Sequence, residues 1–148
     1  MPFVPGDFEV PTGAVGALFV LEPLRPEHNA ADLAAWTSSI AHIKATPGFA
    51  GRPWPDRPFS LEENETDLVR HADDFARRTG FAYTVRDRSF GEVIGCVYLY
   101  PPRRDGYDVD VRSWVTAEHA DLDKPLHDFV LEWIAAAWPF TGPDYAER

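Results

Sequence analysis

Residues 81–115 read FAYTVRDRSFGEVIGCVYLYPPRRDGYDVDVRSWV and decide the fold. Three segments of this stretch, FAYTVRD, EVIGCVYLY and YDVDVRSWV, are rich in β-branched and aromatic residues, which favour strands. Only RSFG and PPRRDG separate them, and connections this short join neighbouring antiparallel strands. The stretch therefore predicts a three-stranded antiparallel meander.

A long helix is predicted after the meander. Asp123 is a good N-cap for it, and Pro139 ends the pattern. Apolar residues recur at helical spacing between these two positions, namely Leu126, Phe129, Val130, Trp133, Ile134 and Ala137. The last residues, TGPDYAER at 141–148, are expected to form only a short tail.

Two further helices are predicted before the meander. Ser60 and Glu63 form a capping box for a helix over residues 61–79, and Gly80 supplies its C-terminal stop. Asn29 is a suitable N-cap for an earlier amphipathic helix, whose apolar residues are Leu33, Trp36, Ile40 and Ile43.

The rest of the N-terminal half contains one strand and two irregular segments. The short apolar run 18–24 predicts the first strand. Prolines and glycines in residues 1–17 predict an extended N-terminal arm, and those in the loop 46–59, TPGFAGRPWPDRPF, predict irregular structure. No linker or repeat interrupts residues 18–148. We therefore expect a single α/β domain with a mixed, mostly antiparallel sheet flanked by helices.

Composition excludes several classes of partner and site. The formal net charge is -10, from 14 basic and 24 acidic side chains, and it opposes binding to nucleic acid and to anionic membranes. The N-terminus lacks the basic and apolar segments of a secretory signal, so a cytoplasmic protein is expected. Cys96 is the only cysteine, so no intramolecular disulfide can form, and no metal site is predicted.

The order of elements resembles the front part of the Gcn5-related N-acetyltransferase (GNAT) fold over residues 18–138. The segment GEVIGCVYLY is similar to the family's third strand, with Gly91, Ile94 and Gly95 in a Gly-x-x-(Ile/Val)-Gly pattern. The next segment is similar to the fourth strand, whose end holds the pantetheine arm of acetyl-CoA by backbone hydrogen bonds. The resemblance implies acetyl-CoA as the cofactor, bound at Trp114 and Val115.

Two features depart from the family's pattern. The connection AEHADLDKPL at 117–126 contains no glycine, whereas the family has a glycine-rich turn there that lets backbone amides approach the pyrophosphate. Asp121 and Asp123 are instead expected to repel phosphates. The family's usual C-terminal strands are also lacking, which predicts an uncovered edge that a homodimer or the N-terminal arm would cover.

Candidate catalytic residues lie on the last two strands of the meander. Asp110 is the candidate base that takes a proton from an attacking amine, with Arg112 tuning it. The alternative is that Asp108, Asp110 and Arg112 form a solvated face with a weak ion pair. Tyr98 is the candidate acid for the leaving thiolate, by resemblance to a tyrosine of the family, and its alternative is core packing.

The loop 46–59 is the predicted region of contact with the substrate. Phe49, Arg52 and Trp54, together with Arg112, are candidate substrate-binding residues, because aromatic and guanidinium groups suit a small anionic or aromatic ligand. The alternative is a hydrophobic plug in which Phe49 and Trp54 cap the core while the arginines stay solvated.

Two functions remain open at this point. The first is an acyl-CoA-dependent, N-acetyltransferase-like protein that acts on a small amine. The second is a non-catalytic GNAT-fold module that binds a ligand or dimerises and has lost acetyl-CoA binding.

Overall fold

The computed structural model describes residues 2–148, so Met1 of the predicted arm lies outside the described residues. Six strands form one sheet in chain order. All neighbours are antiparallel except the last pair, which is parallel. The strands are β1 (Ala14–Val15), β2 (Phe19–Pro23), β3 (Phe81–Asp87), β4 (Val93–Tyr100), β5 (Val109–Val115) and β6 (Pro143–Tyr145).

The central meander is confirmed, and its register sets the later site. β4 pairs with β5 so that Tyr98 lies opposite Arg112 and Tyr100 lies opposite Asp110. Opposed residues project to the same face of an antiparallel pair. The side chains of these four residues therefore share one face of the sheet.

Four α-helices flank the sheet, and they differ from the predicted helices at their ends. They are α1 (Asn29–Thr37), α2 (Ile40–Ala45), α3 (Leu61–Arg77) and α4 (Asp123–Ala137). The helix predicted from Asn29 is broken between Thr37 and Ile40, where the Ser39 hydroxyl accepts a hydrogen bond from the amide of Ala117.

Three predicted helix ends are corrected. Asn29 and Asp123 are the first helical residues rather than N-caps, because short 3-10 turns precede both helices. The C-cap of α3 is Arg78 in the left-handed region, with φ 62°, rather than Gly80. The capping box of Ser60 and Glu63 is confirmed, with hydrogen bonds of 3.1 and 2.9 Å.

Each face of the sheet carries its own buried cluster. Helix α4 covers one face, and the N-terminal arm packs into the same cluster, with Phe3 stacked on Phe140 at 5.2 Å. Helices α1 to α3 and the loop 46–59 cover the other face. This second face carries the candidate site.

Both chain ends contain more regular structure than the sequence predicted. The arm includes β1, and residues expected to be only a tail include β6. The expected lack of C-terminal strands is therefore corrected to the presence of one short strand, which pairs with β5 only from Val109 to Val111. Among residues 2–148, no helix is long and apolar enough to cross a membrane.

Candidate functional site

The polar face of β5 is covered rather than solvated. Asp110 is only 5% exposed, and about a fifth of the Arg112 side chain is exposed. Trp114, further along the same face, is fully buried. The loop 46–59 and helix α3 close over these residues, so the interpretation of this face as a solvated surface is wrong.

Three adjoining cavities run along this face between the loop 46–59, helix α3 and the β4–β5 turn. Their volumes are about 330, 290 and 250 Å³. Arg52 and Asp110 line the first two, and His71 and Arg112 line the last two. We call them together the cationic groove, because five arginines line it: Arg52, Arg70, Arg103, Arg104 and Arg112.

Asp110 is the counterion of two of these arginines. Its Oδ2 lies 3.4 Å from Nη2 of Arg52 and 3.6 Å from Nε of Arg112. Burial, followed by repulsion from Arg52, lowers the pKa of Arg112. The predicted base is therefore held between two cations, and it remains a prediction.

Part of the loop 46–59 packs in the core as a hydrophobic plug, and part of it lines the groove as a candidate substrate-contact region. Phe49 is buried in the core, whereas Trp54 packs on the Trp36 and Trp114 rings and also lines the groove. The Arg112 guanidinium lies over the Phe49 ring, 5.5 Å from its centroid. Phe49 thus supports Arg112 from below and does not line the groove, while Arg52, Trp54 and Arg112 do.

His71, on helix α3, is a further functional candidate in the groove. Its side chain is 9% exposed. Its Nδ1 lies 2.8 Å from the Tyr100 hydroxyl, which donates to Asp74 at 2.8 Å. Because that hydroxyl already donates to Asp74, this network assigns the hydrogen of His71 to Nδ1. Nε2 is then the acceptor nitrogen, and it lies 3.3 Å from Nη2 of Arg70 and 3.6 Å from Oδ2 of Asp67.

Tyr98 lies on the groove floor and holds its proton firmly. Its hydroxyl accepts a hydrogen bond of 3.0 Å from the Trp114 indole, and it lines the smallest of the three cavities. Burial raises the pKa of Tyr98 well above its usual value. A phenol with a raised pKa gives its proton less readily to a thiolate, so packing and positioning suit Tyr98 better than acid catalysis.

The C-terminal end of β5 presents an open strand edge. Pairing with β6 ends at Val111, and the amide of Thr116 bonds back to Ile94 on β4. Because peptide groups alternate along a strand, those of Ser113 and Val115 face away from β4. Of the predicted cofactor residues, Val115 thus presents its backbone to the edge, while Trp114 faces β4.

Arg148 occupies this open edge. Its guanidinium donates to the Ser113 carbonyl at 2.8 Å and to Oδ2 of Asp123 at 2.7 Å, and only 3% of the side chain is exposed. The Tyr145 hydroxyl also bonds to the Ser113 hydroxyl. The backbone groups expected to hold a pantetheine arm are therefore present. The Arg148 guanidinium occupies the position that the arm would take.

The turn that precedes α4 does not fit a pyrophosphate as the family's glycine-rich turn does. Residues 117–122 form a 3-10 turn whose first amide is already bonded to Ser39. The charge of Asp123 is offset by Arg148, so its expected repulsion is weaker than the sequence indicated. The site fits the pantetheine arm once Arg148 moves, and it lacks a dedicated pyrophosphate cradle.

Sequence reasoning missed Ser113, Arg103 and Arg148. Arg103 carried one usable signal, since it stands beside Arg104 in a turn of an otherwise acidic chain. Ser113 and Arg148 carried none, because they contact each other across 35 residues of the chain.

Comparisons with known proteins identify the fold. No protein-family model matches the sequence, and no curated protein matches it. The ribosomal-protein-S5-alanine acetyltransferase from Vibrio fischeri matches with a TM-score of 0.62 and 14% identity, over 85% of this chain and 67% of that chain.

Two ligand-bound structures match similarly. RimL, a ribosomal L7/L12 α-N-protein acetyltransferase in complex with coenzyme A, gives a TM-score of 0.63 and 13% identity, over 84% of this chain and 69% of its own. The microcin C7 self-immunity acetyltransferase MccE, in complex with acetyl-CoA and AMP, gives 0.60 and 10%, over 87% and 71%. The matches confirm the fold predicted from the order of elements.

Proposed function

We propose that this chain, which has the GNAT fold, is an acyl-CoA-dependent, N-acetyltransferase-like protein acting on a small amine. One observation carries the proposal: β5 bears both a cationic groove and an open strand edge. Asp110 and Arg112 line the groove, and Ser113 and Val115 present their backbone at the edge a few residues later. Donor and acceptor sites on one strand would bring their reacting groups together, and transfer needs this proximity.

The edge would hold the donor by its pantetheine arm. The backbone groups of Ser113 and Val115 offer it the pairing that β6 leaves unused. The Arg148 guanidinium must leave the Ser113 carbonyl for this to happen. When bound there, acetyl-CoA supplies the acetyl group as a thioester.

The groove would hold the amine and take its proton. His71 lines the two cavities next to Arg112, and its Nε2 is the acceptor atom in the tautomer assigned above. Loss of that proton makes the amine a nucleophile. We favour His71 over Asp110 for this role, because two arginines engage Asp110, whereas only one arginine of residues 2–148, Arg70 at 3.3 Å, approaches Nε2 of His71. The amine would displace that contact.

The test is calorimetric titration of acetyl-CoA into the wild type and Asp123→Asn. The substitution removes a negative charge at the start of α4 and releases Arg148, so we expect acetyl-CoA to bind several-fold more tightly than to the wild type. Asp128→Asn is the matched control, since it makes the same charge change on the exposed side of α4 and should change affinity little.

A non-catalytic ligand-binding or dimerisation module is the second candidate. The occupied Ser113 carbonyl and the glycine-free turn favour it. It predicts no heat from acetyl-CoA with either the wild type or Asp123→Asn, together with retained ligand binding in the groove. That pair of results would overturn the transferase proposal.

A further inference from the structure

The cationic groove holds more positive charge than its own carboxylates balance. Arg104 makes a bidentate pair with Asp144 at 2.7 and 2.9 Å. Arg70 pairs with Asp67 at 2.7 Å. These two arginines are satisfied within the protein.

The other three arginines share a single carboxylate. Arg52 and Arg112 both approach Asp110, whereas Arg103 makes no ion pair or side-chain hydrogen bond within residues 2–148. Three guanidinium groups therefore face the one negative charge of Asp110. The surplus amounts to about two positive charges, by the unit charge of each ionised group.

Much of the hydrogen-bonding capacity of these arginines is also unused, although Nε of Arg52 donates to the Gly48 carbonyl at 3.1 Å. The contacts with Asp110 measure 3.4 to 3.6 Å, whereas good guanidinium–carboxylate bonds are about 2.7 to 2.9 Å long. Nε of Arg112 is buried and has no hydrogen-bond partner within the part of the chain that the structure describes. A buried donor without a partner is costly, and a ligand oxygen would satisfy it.

We propose that the acceptor carries a compact oxyanion, a phosphate or a carboxylate, which Arg52, Arg103 and Arg112 bind. Guanidinium groups match the planar, bidentate geometry of both oxyanions. This inference rests on the proposed function for the word acceptor, but the anion site itself stands on the groove alone.

The groove also orders the two ends of such an acceptor. Arg103 lines the first two cavities, and His71 lines the last two. The oxyanion therefore lies toward the β4–β5 turn, and the amine lies toward His71. The acceptor class is a short primary amine with an anionic group at its other end.

Three probes with the same two-carbon spacer test this proposal by calorimetry: phosphoethanolamine, β-alanine and ethanolamine. They share a primary amine and differ in carrying a phosphate, a carboxylate or no anion. Phosphoethanolamine or β-alanine should bind at least about tenfold more tightly than ethanolamine, since charge-assisted hydrogen bonds are worth one to two factors of ten. Whichever binds more tightly identifies the oxyanion.

Two variants and one control locate the site. Arg103→Gln and Arg52→Gln should each weaken binding of the preferred anionic probe by about tenfold. Arg77→Gln, an exposed arginine on α3 that does not line the groove, should leave it unchanged. Arg103→Gln is safe for the fold, because Arg103 is exposed and unpaired within residues 2–148.

Equal affinity for all three probes would overturn the inference, as would wild-type affinity in both groove variants or equal loss in Arg77→Gln. The titrations are run without and with acetyl-CoA. Anion binding in a protein that does not bind acetyl-CoA would keep the anion site and reject the transferase. Acetyl-CoA binding without a preference for anionic probes would keep the transferase proposal and reject the anion site.

Discussion

The buried position of Asp32 makes ionisation of its carboxyl group energetically unfavourable. Asp32 lies in the first turn of helix α1 and is 4% exposed, and burial raises its pKa from 3.8 to about 6. Within residues 2–148, its one side-chain hydrogen bond comes from the Asn64 amide at 3.1 Å. Asn64 also accepts a hydrogen bond from the Trp36 indole at 3.0 Å. Asn64 on α3 is therefore bonded to both Asp32 and Trp36 on α1 in a small buried polar network.

The contribution of Asp32 to the free energy of unfolding should therefore fall as pH rises from about 4 to about 6, because the native state keeps the Asp32 proton longer than the unfolded state. A shift of about two pKa units corresponds to a cost of about 2 to 3 kcal/mol at neutral pH. Asp32→Asn should recover part of this at pH 8 and little at pH 4, as measured by urea unfolding. Asp73→Asn, on the exposed face of α3, is the control. An Asp32→Asn protein that loses stability equally at both pH values would contradict the assignment.

At the scale of elements, α3 and β4 meet through one hydrogen-bond chain. His71 and Asp74 on the helix both contact the Tyr100 hydroxyl on the strand, each at 2.8 Å. Burial and the Asp74 contact raise the pKa of Tyr100 above its usual value, so the hydroxyl keeps its proton and fixes the His71 tautomer. These hydrogen bonds orient the His71 ring, so its orientation depends on contacts between α3 and β4.

His71→Gln should lower kcat for acetyl transfer by about 10²- to 10⁴-fold, the usual contribution of a general base, and should leave acetyl-CoA affinity unchanged. Tyr100→Phe should lower kcat by a smaller factor, because it only loosens the tautomer. Full kcat in His71→Gln, with urea unfolding unchanged, would remove His71 from the mechanism.

The elements were largely predictable, because their signals are local. The meander and the Ser60 capping box follow from neighbouring residues. The pattern around Gly95 also has a visible cause: a Cβ there would collide with the backbone oxygen of Trp114. The break between α1 and α2 was not predictable, since it accompanies a contact between Ser39 and Ala117, far along the chain.

The site was only partly predictable, because part of it depends on contacts between residues that are far apart in the sequence. Alternation along β5 placed Asp110 and Arg112 on one face, but it could not show that the loop 46–59 buries that face. β6 is three residues long and carries no pattern of its own. The edge at Ser113 and its occupation by Arg148 are properties of the folded chain, with a sequence separation of 35 residues.

At the scale of the whole molecule, the groove is a positive site on a protein of net charge -10. An approaching anion first meets the net charge, at roughly 15 Å from the centre of a domain of this size. Ten charges at that distance in water repel a unit anion by about 3 kcal/mol without salt. The groove attracts it only at contact, where partial burial shields the arginines from salt.

The long-range repulsion by the net charge and the contact attraction in the groove respond differently to ionic strength. Salt shortens the screening length from about 30 Å at 0.01 M to about 8 Å at 0.15 M, which removes most of the long-range repulsion and little of the contact attraction. The association rate of phosphoethanolamine in stopped flow should therefore rise several-fold over that range, the reverse of attractive steering. β-Alanine, which carries no net charge near neutral pH, is the control and should show a nearly constant rate. A rate for phosphoethanolamine that falls with salt would mean that the groove's field extends beyond the acidic surface, and that the ligand is steered by the arginines before it arrives.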